Sequence, residues 1–479
     1  HSVYRHLLLI VTTRKKHPYM NISIKAGILP VALLNTVAMT AANDSIVWKR
    51  QVYSTGHVRF RQEVLASPAM RNYLHTPSIS EFSVYVTTEP AAAARIPQVG
   101  RGGKQFGMEA SSFQQLGANS VVWGKASYQN GKKYDVTWNE TSDFLLLYPY
   151  VMGDAKGGDQ NYESYRLDGG YSTRHGKTCY GVDLGYRTLS EYRDRDPRPN
   201  NTVADLYAQG GIGLNIWGSY SVALTATAGK YKQTNELAFY NELGTQMVYH
   251  LTGIGNDFTR FSGQGKNCFY KGYSIGAEIS MASKETTGWS ASAGYLFTRK
   301  EKVLTDLNRL PLNRLEVNSL DGAVGYNNED YGVRLTGNVA QRKGIDNLFG
   351  DATGNIYPQI GSRKQYDGKI KKIKAEGFWN VNWTEKTDVN IEPEIACASF
   401  KNSHHTSGNL LKSSDLTMGV TASIVHANAK NMVCAKAKIR RRENLAARLD
   451  IYNCQNELLA ATLQNIKEYM GGGETEMSL

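Results

Sequence analysis

The chain has 479 residues, a net charge of +12 and a mean hydropathy of −0.43. No run approaches the ~18 consecutive apolar residues that a membrane-spanning helix needs, which excludes a helical membrane protein. Basic and acidic residues are interspersed through the middle of the chain, so neither a clustered basic face nor a nucleic-acid partner is expected.

The composition favours strands and leaves two all-β classes open. The chain has 29 Tyr and 46 Gly but only 12 Pro, which suits long twisted strands with aromatic girdles. A soluble sandwich or propeller and a transmembrane barrel give the same average hydropathy, because only alternate residues of a barrel strand face lipid. The five cysteines have no CxxC spacing, so we expect neither a metal site nor a disulfide framework.

The amino terminus carries a predicted export signal. Residues 20–42 resemble a secretory signal peptide, because Lys25 supplies a positive charge, 26–38 is a short apolar stretch and small residues follow. Residues 1–19 precede Met20 and are interpreted as an upstream translation artefact. An unusually long start of the signal is the alternative.

The segment 43–104 precedes the regular pattern. It contains four prolines and an alanine run, which favour an irregular periplasmic or plug-like segment. Short strands at 45–52 and 82–87 stay open as alternatives within it.

Residues 105–439 show the alternation of strands. In 180–187, Tyr, Val, Leu and Tyr share one face while Gly, Asp, Gly and Arg share the other. Similar repeats occur at 205–216, 274–281, 289–297 and 373–383. An apolar face opposite a polar or glycine face over about ten residues is typical of a tilted membrane-spanning strand. We count about fifteen such strands and predict a transmembrane antiparallel β-barrel of about 14–16, since bacterial barrels have an even number.

The lengths of the connections alternate along this region. Short turns are predicted near 175–177, 218–220, 284–288, 328–330, 384–387 and 427–430. Longer connections are predicted near 192–203, 233–271, 301–315, 343–369 and 401–414. A barrel with short periplasmic turns and long outer loops requires this rhythm, whereas a sandwich or propeller does not. An Asn-Gly hairpin turn is also predicted within 127–132.

The carboxy-terminal segment 440–479 departs from the strand pattern. Apolar residues recur at helix-like spacing from Leu445 to Ile466, and the chain ends without the aromatic residue that closes most outer-membrane barrels. We predict an atypical helical or disordered tail, or a last strand that is lost or shifted out of frame.

Three strings carry a resemblance to a known family: SVVWGKASYQNG at 120–131, WNETSD at 138–143 and YRDRDPRPN at 192–200. They resemble an uncharacterised family of outer-membrane β-barrel proteins from Bacteroides-like bacteria, over about a quarter of the chain. The resemblance implies a barrel in the outer membrane of a Gram-negative cell. It implies no activity and no functional residue.

Charged residues that alternate with apolar ones are predicted to face the lumen, because a basic residue at mid-bilayer on the lipid side costs about 2–4 kcal/mol. These residues are Asp183, Arg187, Glu278, Asp321, Arg334, Lys374, Glu376, Glu392 and Glu394. Their mixed signs fit either a structural ladder that fills the barrel or a water-filled path.

Catalytic signals are few. His405 and Ser407 lie close together in a predicted outer loop, as in outer-membrane phospholipases, but no orienting partner is evident and a solvated loop explains them as simply. Asp194 and Asp196 could belong to a barrel protease, although the alternating arginines favour a surface-charged loop.

The Gly-rich segments 100–103 and 154–159 do not join a strand to a helix, so no phosphate cradle and no cofactor are expected.

Three functions are compatible with these sequence features. The first is a passive channel or accessory uptake component for a small solute, either alone or beside a larger energised receptor. The second is a barrel hydrolase of lipase or protease type, and the third is a structural or adhesive surface protein with a filled lumen. In each of them the barrel has the lipid of the outer membrane as a partner.

Overall fold

The computed structural model of the chain describes residues 45–89, 96–241, 246–263, 267–354, 356–384, 386–428, 431–454 and 457–478. The predicted upstream artefact at 1–19, the predicted signal peptide at 20–42 and the first two residues of the segment 43–104 lie outside the described residues.

One antiparallel sheet dominates the fold, with sixteen strands that each neighbour the next in the sequence. They are β1 Ile79–Glu89, β2 Gly102–Gln115, β3 Ser120–Val136, β4 Gly158–His175, β5 Thr178–Tyr192, β6 Arg198–Trp217, β7 Tyr220–Ala238, β8 Cys268–Ser283, β9 Gly288–Leu304, β10 Leu310–Asn327, β11 Tyr331–Phe349, β12 Gln359–Thr384, β13 Thr387–His404, β14 Leu410–Ala427, β15 Met432–Asp450 and β16 Glu474–Ser478. The predicted class, an antiparallel all-β barrel of 14–16 strands, is confirmed.

The remaining elements are short. The α-helices are α1 Ser45–Ser54, α2 Gly56–Val64, α3 Phe144–Leu147 and α4 Glu457–Gly471, and 3-10 turns occur at Pro68–Tyr73 and Thr259–Phe261. Met152–Gly153, Tyr249–Gly253 and Asn256–Asp257 form a small separate sheet. None of the described helices has both the length and the hydropathy required to cross a membrane.

The outer face of the sheet is apolar and exposed. On β5, Tyr180, Val182, Leu184 and Tyr186 are each between 43% and 56% exposed, while the residues between them face inward. In a soluble sandwich this alternate set would be buried between two sheets. Its exposure on successive strands forms the apolar band by which a barrel contacts lipid.

The sheet encloses the segment that precedes it. Asn72 donates a hydrogen bond to Ser172 of β4 at 3.0 Å, and the ring of Phe60 packs edge-on against Phe378 of β12 with centroids 5.3 Å apart. Strands β4 and β12 are far apart in the sheet order, so the sheet curves around these residues and its interior is a lumen.

The six predicted short turns are confirmed, but three of the five predicted long connections are short. Strands end and begin at all six predicted short turns, whereas several connections at the other end are short too, such as 193–197, 305–309 and 405–409. Strands β4 to β15 are 15–26 residues long instead of about ten. They extend beyond the apolar band, where polar outer residues hide the alternation in the sequence.

The structure differs from the sequence reading at several boundaries. The segment 45–52 is helical, whereas 82–87 lies within β1, and β1 and β2 begin before residue 105. Asn130 and Gly131 lie inside β3 and form no turn. Gly131 is needed there because a Cβ atom would approach the Tyr162 hydroxyl to 2.6 Å.

The carboxy-terminal segment also differs, since β15 continues to Asp450 before α4 begins. Helix α4 then buries Leu463 and Ile466 in a cluster with Ile254 and Leu411.

The sheet has two edges, at its first strand β1 and at its last strand β16. Within the described ranges, no backbone ladder joins β1 to β15 or β16. Helix α1 contacts two strands that are far apart in the sheet order: Arg50 forms an ion pair with Glu81 of β1, and Gln51 donates a hydrogen bond to Asp388 of β13 at 2.7 Å.

Candidate functional site

Residues 56–74, here called the plug, fill the lumen at the short-turn end. Helix α2 begins at an N-cap, where the Thr55 hydroxyl accepts from the backbone N–H of Val58, and the 3-10 turn follows. Phe60, Leu65 and Met70 are buried against inward side chains of the wall. The plug backbone lies close against the wall at Gly181, where a Cβ atom would lie 2.2 Å from the backbone of Pro68.

Residues 137–157, here called the cap, fold inward from the β3–β4 connection and fill the opposite end. Trp138, Leu147, Val151 and Met152 are almost fully buried. They share one apolar cluster with inward residues of five or more strands and with the segment 248–261. The described lumen is therefore occupied from both ends.

Arginine and lysine side chains of the wall hold the cap through hydrogen bonds. Arg187 of β5 binds the carboxylate of Asp143 at 2.5 and 3.0 Å. Arg342 of β11 donates to the carbonyl oxygens of Leu145 at 3.0 Å, of Leu146 at 3.3 Å and of Tyr148. These anchors lie on separate strands, so they fix both ends of α3.

A second anchor is a buried ion triad between the cap and the β5–β6 connection. Arg193 donates to Glu140 at 2.7 Å and to Asp154 at 2.8 Å, and all three side chains are at most 1% exposed. The guanidinium also donates to the carbonyl oxygens of Arg195 and Pro197 at 3.0 and 2.9 Å. One cation thus faces two carboxyl groups in a site without water access.

The two carboxyl groups of the triad have opposite protonation tendencies. Burial raises the pKa of Glu140 well above its ordinary value of 4.5, and the neighbouring carboxylate of Asp154 raises it further. Burial also disfavours the charged form of Asp154, but hydrogen bonds from Glu140, Arg193 and Gly157 outweigh it and lower its pKa. These opposite shifts favour a proton on Glu140 over one on Asp154, and with that proton the triad is electrically neutral.

The raised pKa of Glu140 makes the free energy of unfolding depend on pH. A carboxyl group whose pKa is raised on folding stabilises the protein fully below its ordinary pKa, and this stability is lost as pH rises through the raised pKa. We expect wild-type stability to fall above pH 4.5 by up to about 1.4 kcal/mol per pH unit in that window. Glu140→Gln should remove this contribution, and urea unfolding between about pH 5 and pH 8 would measure the difference. Equal slopes for both proteins would contradict the assignment.

Several residues predicted to face the lumen contact the plug or the cap. Arg334 forms an ion pair with Glu63 of α2 at 2.7 Å, and Glu392 pairs with Arg59 of the same helix. Arg187 is the cap anchor described above.

The other predicted lumen residues contact one another or neighbouring strands. Asp183 accepts from Trp123 at 3.1 Å and from Tyr207 at 3.0 Å. Asp321 accepts from Asn338 at 2.7 Å.

A second group of predicted residues forms a charged ladder across β12, β13 and β15. Lys374 pairs with Glu376 and, at 3.4 Å, with Glu394, which also forms an ion pair with Arg440 at 2.9 Å. The charge of Glu278 interacts with those of Asp321 and Arg334.

The two residues of the suggested catalytic pair, His405 and Ser407, contact different side chains. His405 Nε2 lies 2.8 Å from Asp367, whereas Ser407 Oγ lies 3.0 Å from His404 Nδ1 and accepts from Asn256. Asp196, the protease candidate, accepts from the backbone N–H groups of Tyr240 and Asn241 and pairs with Arg198 at 2.8 Å. Asp194 accepts from Asn161 at 3.2 Å.

Sequence reasoning missed the cap and its triad. Arg193 was expected in a surface-charged loop, but it is 2% exposed and pairs inward. A glutamate in the WNETSD string and an arginine in the YRDRDPRPN string meet in the triad, so the same strings that carried the resemblance contain the cap's anchor. Their charged residues gave no periodic signal that could distinguish burial from solvation.

Fold and site together define a large antiparallel β-barrel whose lumen is occupied by two segments of its own chain. The chain belongs to a family of unknown function, DUF6850, whose model matches residues 68–471. The predicted membership of an uncharacterised family is confirmed. No curated protein matches the chain.

Solved structures with a similar fold include BauA, the ferric preacinetobactin receptor of Acinetobacter baumannii, with 9% identity over 79% of this chain and 75% of that chain and a TM-score of 0.37. CdiB from Escherichia coli is 13% identical over 77% and 65%, with a TM-score of 0.37. A bacterial polysaccharide outer membrane secretin is 10% identical over 83% and 97%, with a TM-score of 0.34. Likenesses this low carry no inference about function.

Proposed function

We propose that the protein is an outer-membrane transport component whose lumen is closed at rest by the plug and the cap. It would admit a small polar solute when one or both segments move, either alone or beside an energised receptor. The apolar outer band supports the membrane placement, because exposed Tyr, Trp and aliphatic residues on alternate strand positions are stable only against lipid.

The observation that carries this proposal is the charged belt between the two segments. Arg166 and Asp205 are each 38% exposed there, and Lys374, Glu376 and Glu394 are also partly exposed. A lumen filled only for rigidity would be expected to bury paired or apolar side chains at this level. A partly hydrated belt of both signs suits a polar solute and favours no single charge.

A structural surface protein is the second candidate. The cap's apolar cluster favours it, because eighteen buried residues make a core of the kind that holds a segment permanently. A gating segment would belong to the less stable parts of the fold. The two candidates therefore differ in whether the cap can be released without unfolding the barrel.

Conductance of a cap-anchor variant separates the two candidates. The double variant Arg187→Ala/Arg342→Ala removes the hydrogen bonds that hold α3, and Gly181→Val in the same chain displaces the plug, so that the hold on the cap is what differs from Gly181→Val alone. In planar bilayers we expect few openings of the wild type and of Gly181→Val and frequent current steps of the triple variant, because the lumen opens only when both segments are displaced. Arg101→Ala/Arg195→Ala, which changes two exposed arginines, is the matched control and should behave as the wild type.

Heat-modifiability on a gel shows that each of these proteins is folded. A folded triple variant that stays as silent as the wild type would exclude a releasable cap. It would favour the structural candidate.

A further inference from the structure

A row of four cations crosses the outer face of the barrel on four adjacent strands. Lys369 of β12 lies directly opposite Lys401 of β13. Lys401 lies opposite Lys412 of β14, and Lys412 lies opposite Arg448 of β15. All four side chains are exposed, and they alternate with inward residues such as Leu411, which is buried in the lumen. Lys371, two positions along β12, is exposed on the same face.

This row, here called the cationic row, is poorly neutralised. Arg448 pairs with Asp450 at 2.7 Å. No acidic group lies within ion-pair distance of Lys369, Lys401 or Lys412 among the described parts of the chain. Like charges directly opposite each other on neighbouring strands destabilise a sheet, with Cβ atoms about 5 Å apart. Three consecutive like-charge pairs thus cost stability unless an anion outside the chain compensates them.

On the opposite wall of the barrel, Lys271 of β8 lies directly opposite Lys232 of β7, and both are exposed. At a comparable level, Lys271 of β8 lies opposite Glu301 of β9 and pairs with it at 3.3 Å. Glu301 also accepts from Arg299 at 2.7 Å. The outer face of β7 to β9 therefore has one directly opposed like-charge pair with an acidic neighbour, whereas β12 to β15 carry three consecutive like-charge pairs.

The height of the row places it at a membrane surface. Trp379 on β12 is an exposed aromatic residue near the short-turn end, 58% exposed, and exposed apolar residues such as Ile373, Ile395 and Met418 follow toward the row. At about 3.3 Å per residue and a strand tilt near 40°, the interval from Trp379 to Lys369 spans about 25 Å of height. This equals the height of the apolar band of a barrel, so the row lies where the headgroups of the leaflet at the long-connection end begin.

We propose that the cationic row binds the headgroup of a membrane lipid that carries more than one phosphate. The cations are spread over about 15 Å, three intervals of about 4.8 Å between strands. This width exceeds one phosphate and fits two phosphates on one headgroup. The acyl chains of the lipid would lie on the exposed apolar residues nearer the short turns, such as Ile373, Ile395 and Met418. The inference rests on the proposed membrane placement but is independent of solute transport.

Lipid retention by charge-neutralised variants tests the proposal. The full chain and the variant Lys369→Gln/Lys401→Gln/Lys412→Gln are incorporated into phosphatidylcholine vesicles that contain cardiolipin, extracted in mild detergent and analysed for bound lipid by native mass spectrometry. Each lysine near an anionic surface contributes about fivefold, so the apparent affinity for cardiolipin should fall about 100-fold. Lys230→Gln/Lys232→Gln/Lys271→Gln, which removes three exposed lysines from the opposite wall, should retain wild-type binding.

Two further arms identify the ligand and control for folding. Phosphatidylglycerol, with a single phosphodiester, should bind the wild type much more weakly than cardiolipin, and millimolar inorganic phosphate should not displace cardiolipin. The triple Lys→Arg variant at the three positions should bind as the wild type, and heat-modifiability reports whether each variant is folded. Equal cardiolipin binding by the wild type and the folded Gln variant, or an equal loss in the opposite-wall control, would overturn the proposal. Displacement by phosphate alone would also overturn it, because it would reveal a simple anion site.

Discussion

Replacing Arg193 by alanine is expected to lower the free energy of unfolding by about 3–5 kcal/mol, the cost of breaking a buried ion pair by removing one partner. Arg193 is the only cation of the triad, and both carboxyl groups that it contacts are fully buried. Without it, Asp154 would keep an uncompensated charge or take up a second proton. The two backbone carbonyl groups that Arg193 Nε contacts would also lose their donor.

The measurement is urea unfolding of the vesicle-reconstituted protein, followed by tryptophan fluorescence, since Trp138 is buried within the cap. Arg195→Ala is the matched control, because Arg195 is an exposed arginine of the same connection and contributes to the triad only through its backbone carbonyl. Its midpoint should remain within about 0.5 kcal/mol of the wild type, as is usual for surface substitutions. A loss below about 1 kcal/mol for Arg193→Ala would mean that the triad is hydrated and that the cap is loosely held.

The sequence predicts the wall of the barrel better than its contents. Alternation at 180–187 identifies β5 because lipid selects apolar residues at every second position of the band. Short turns are recognised because the strands that flank them are regular. Where the strands rise above the band, the outer residues become polar and this selection ends, so the connections are predicted longer than they are.

The plug and the cap, which fill the lumen, show no periodic pattern of apolar residues in the sequence. The plug packs irregular backbone against the wall, and its fit depends on single positions such as Gly181. The triad joins Glu140 to Arg193, which are far apart in the sequence and lie in strings that read as solvated loops. Predicting such contacts requires knowledge of which strands are neighbours and how far the cap reaches into the barrel. A single sequence contains neither the strand neighbours nor the position of the cap.

Replacing Gly181 by valine is expected to displace the plug while the barrel stays assembled. Gly181 faces inward on β5, and a Cβ atom there would lie 2.2 Å from the carbonyl group of Pro68 and 2.6 Å from the backbone nitrogen of Ala69. Backbone atoms cannot rotate away as a flexible side chain can, so the 3-10 turn must leave the wall. Overpacking of this kind costs about 1–3 kcal/mol, which is borne by the contact between plug and wall.

Limited trypsin digestion measures the displacement, because Arg61 is buried in the plug and becomes cleavable only when the plug leaves the lumen. A cost of 1–3 kcal/mol predicts cleavage about 5- to 150-fold faster at that site. Gly210→Val is the matched control: Gly210 pairs with Val182 on the neighbouring strand, faces outward and has no atom within 4 Å of an added Cβ. Its cleavage rate should equal that of the wild type. Similar rates for both variants would place the plug's attachment elsewhere than at Gly181.

Combining variants at the two ends of the lumen tests how the barrel is closed. Gly181→Val alone opens the short-turn end, while the cap still blocks the other end through Arg187 and Arg342. It should therefore increase proteolysis without increasing conductance. Added to Arg187→Ala/Arg342→Ala, it should raise conductance above that of the double variant, because two barriers in series limit the current until both are removed. If Gly181→Val conducts by itself, the cap does not close the lumen, and the plug is the only gate.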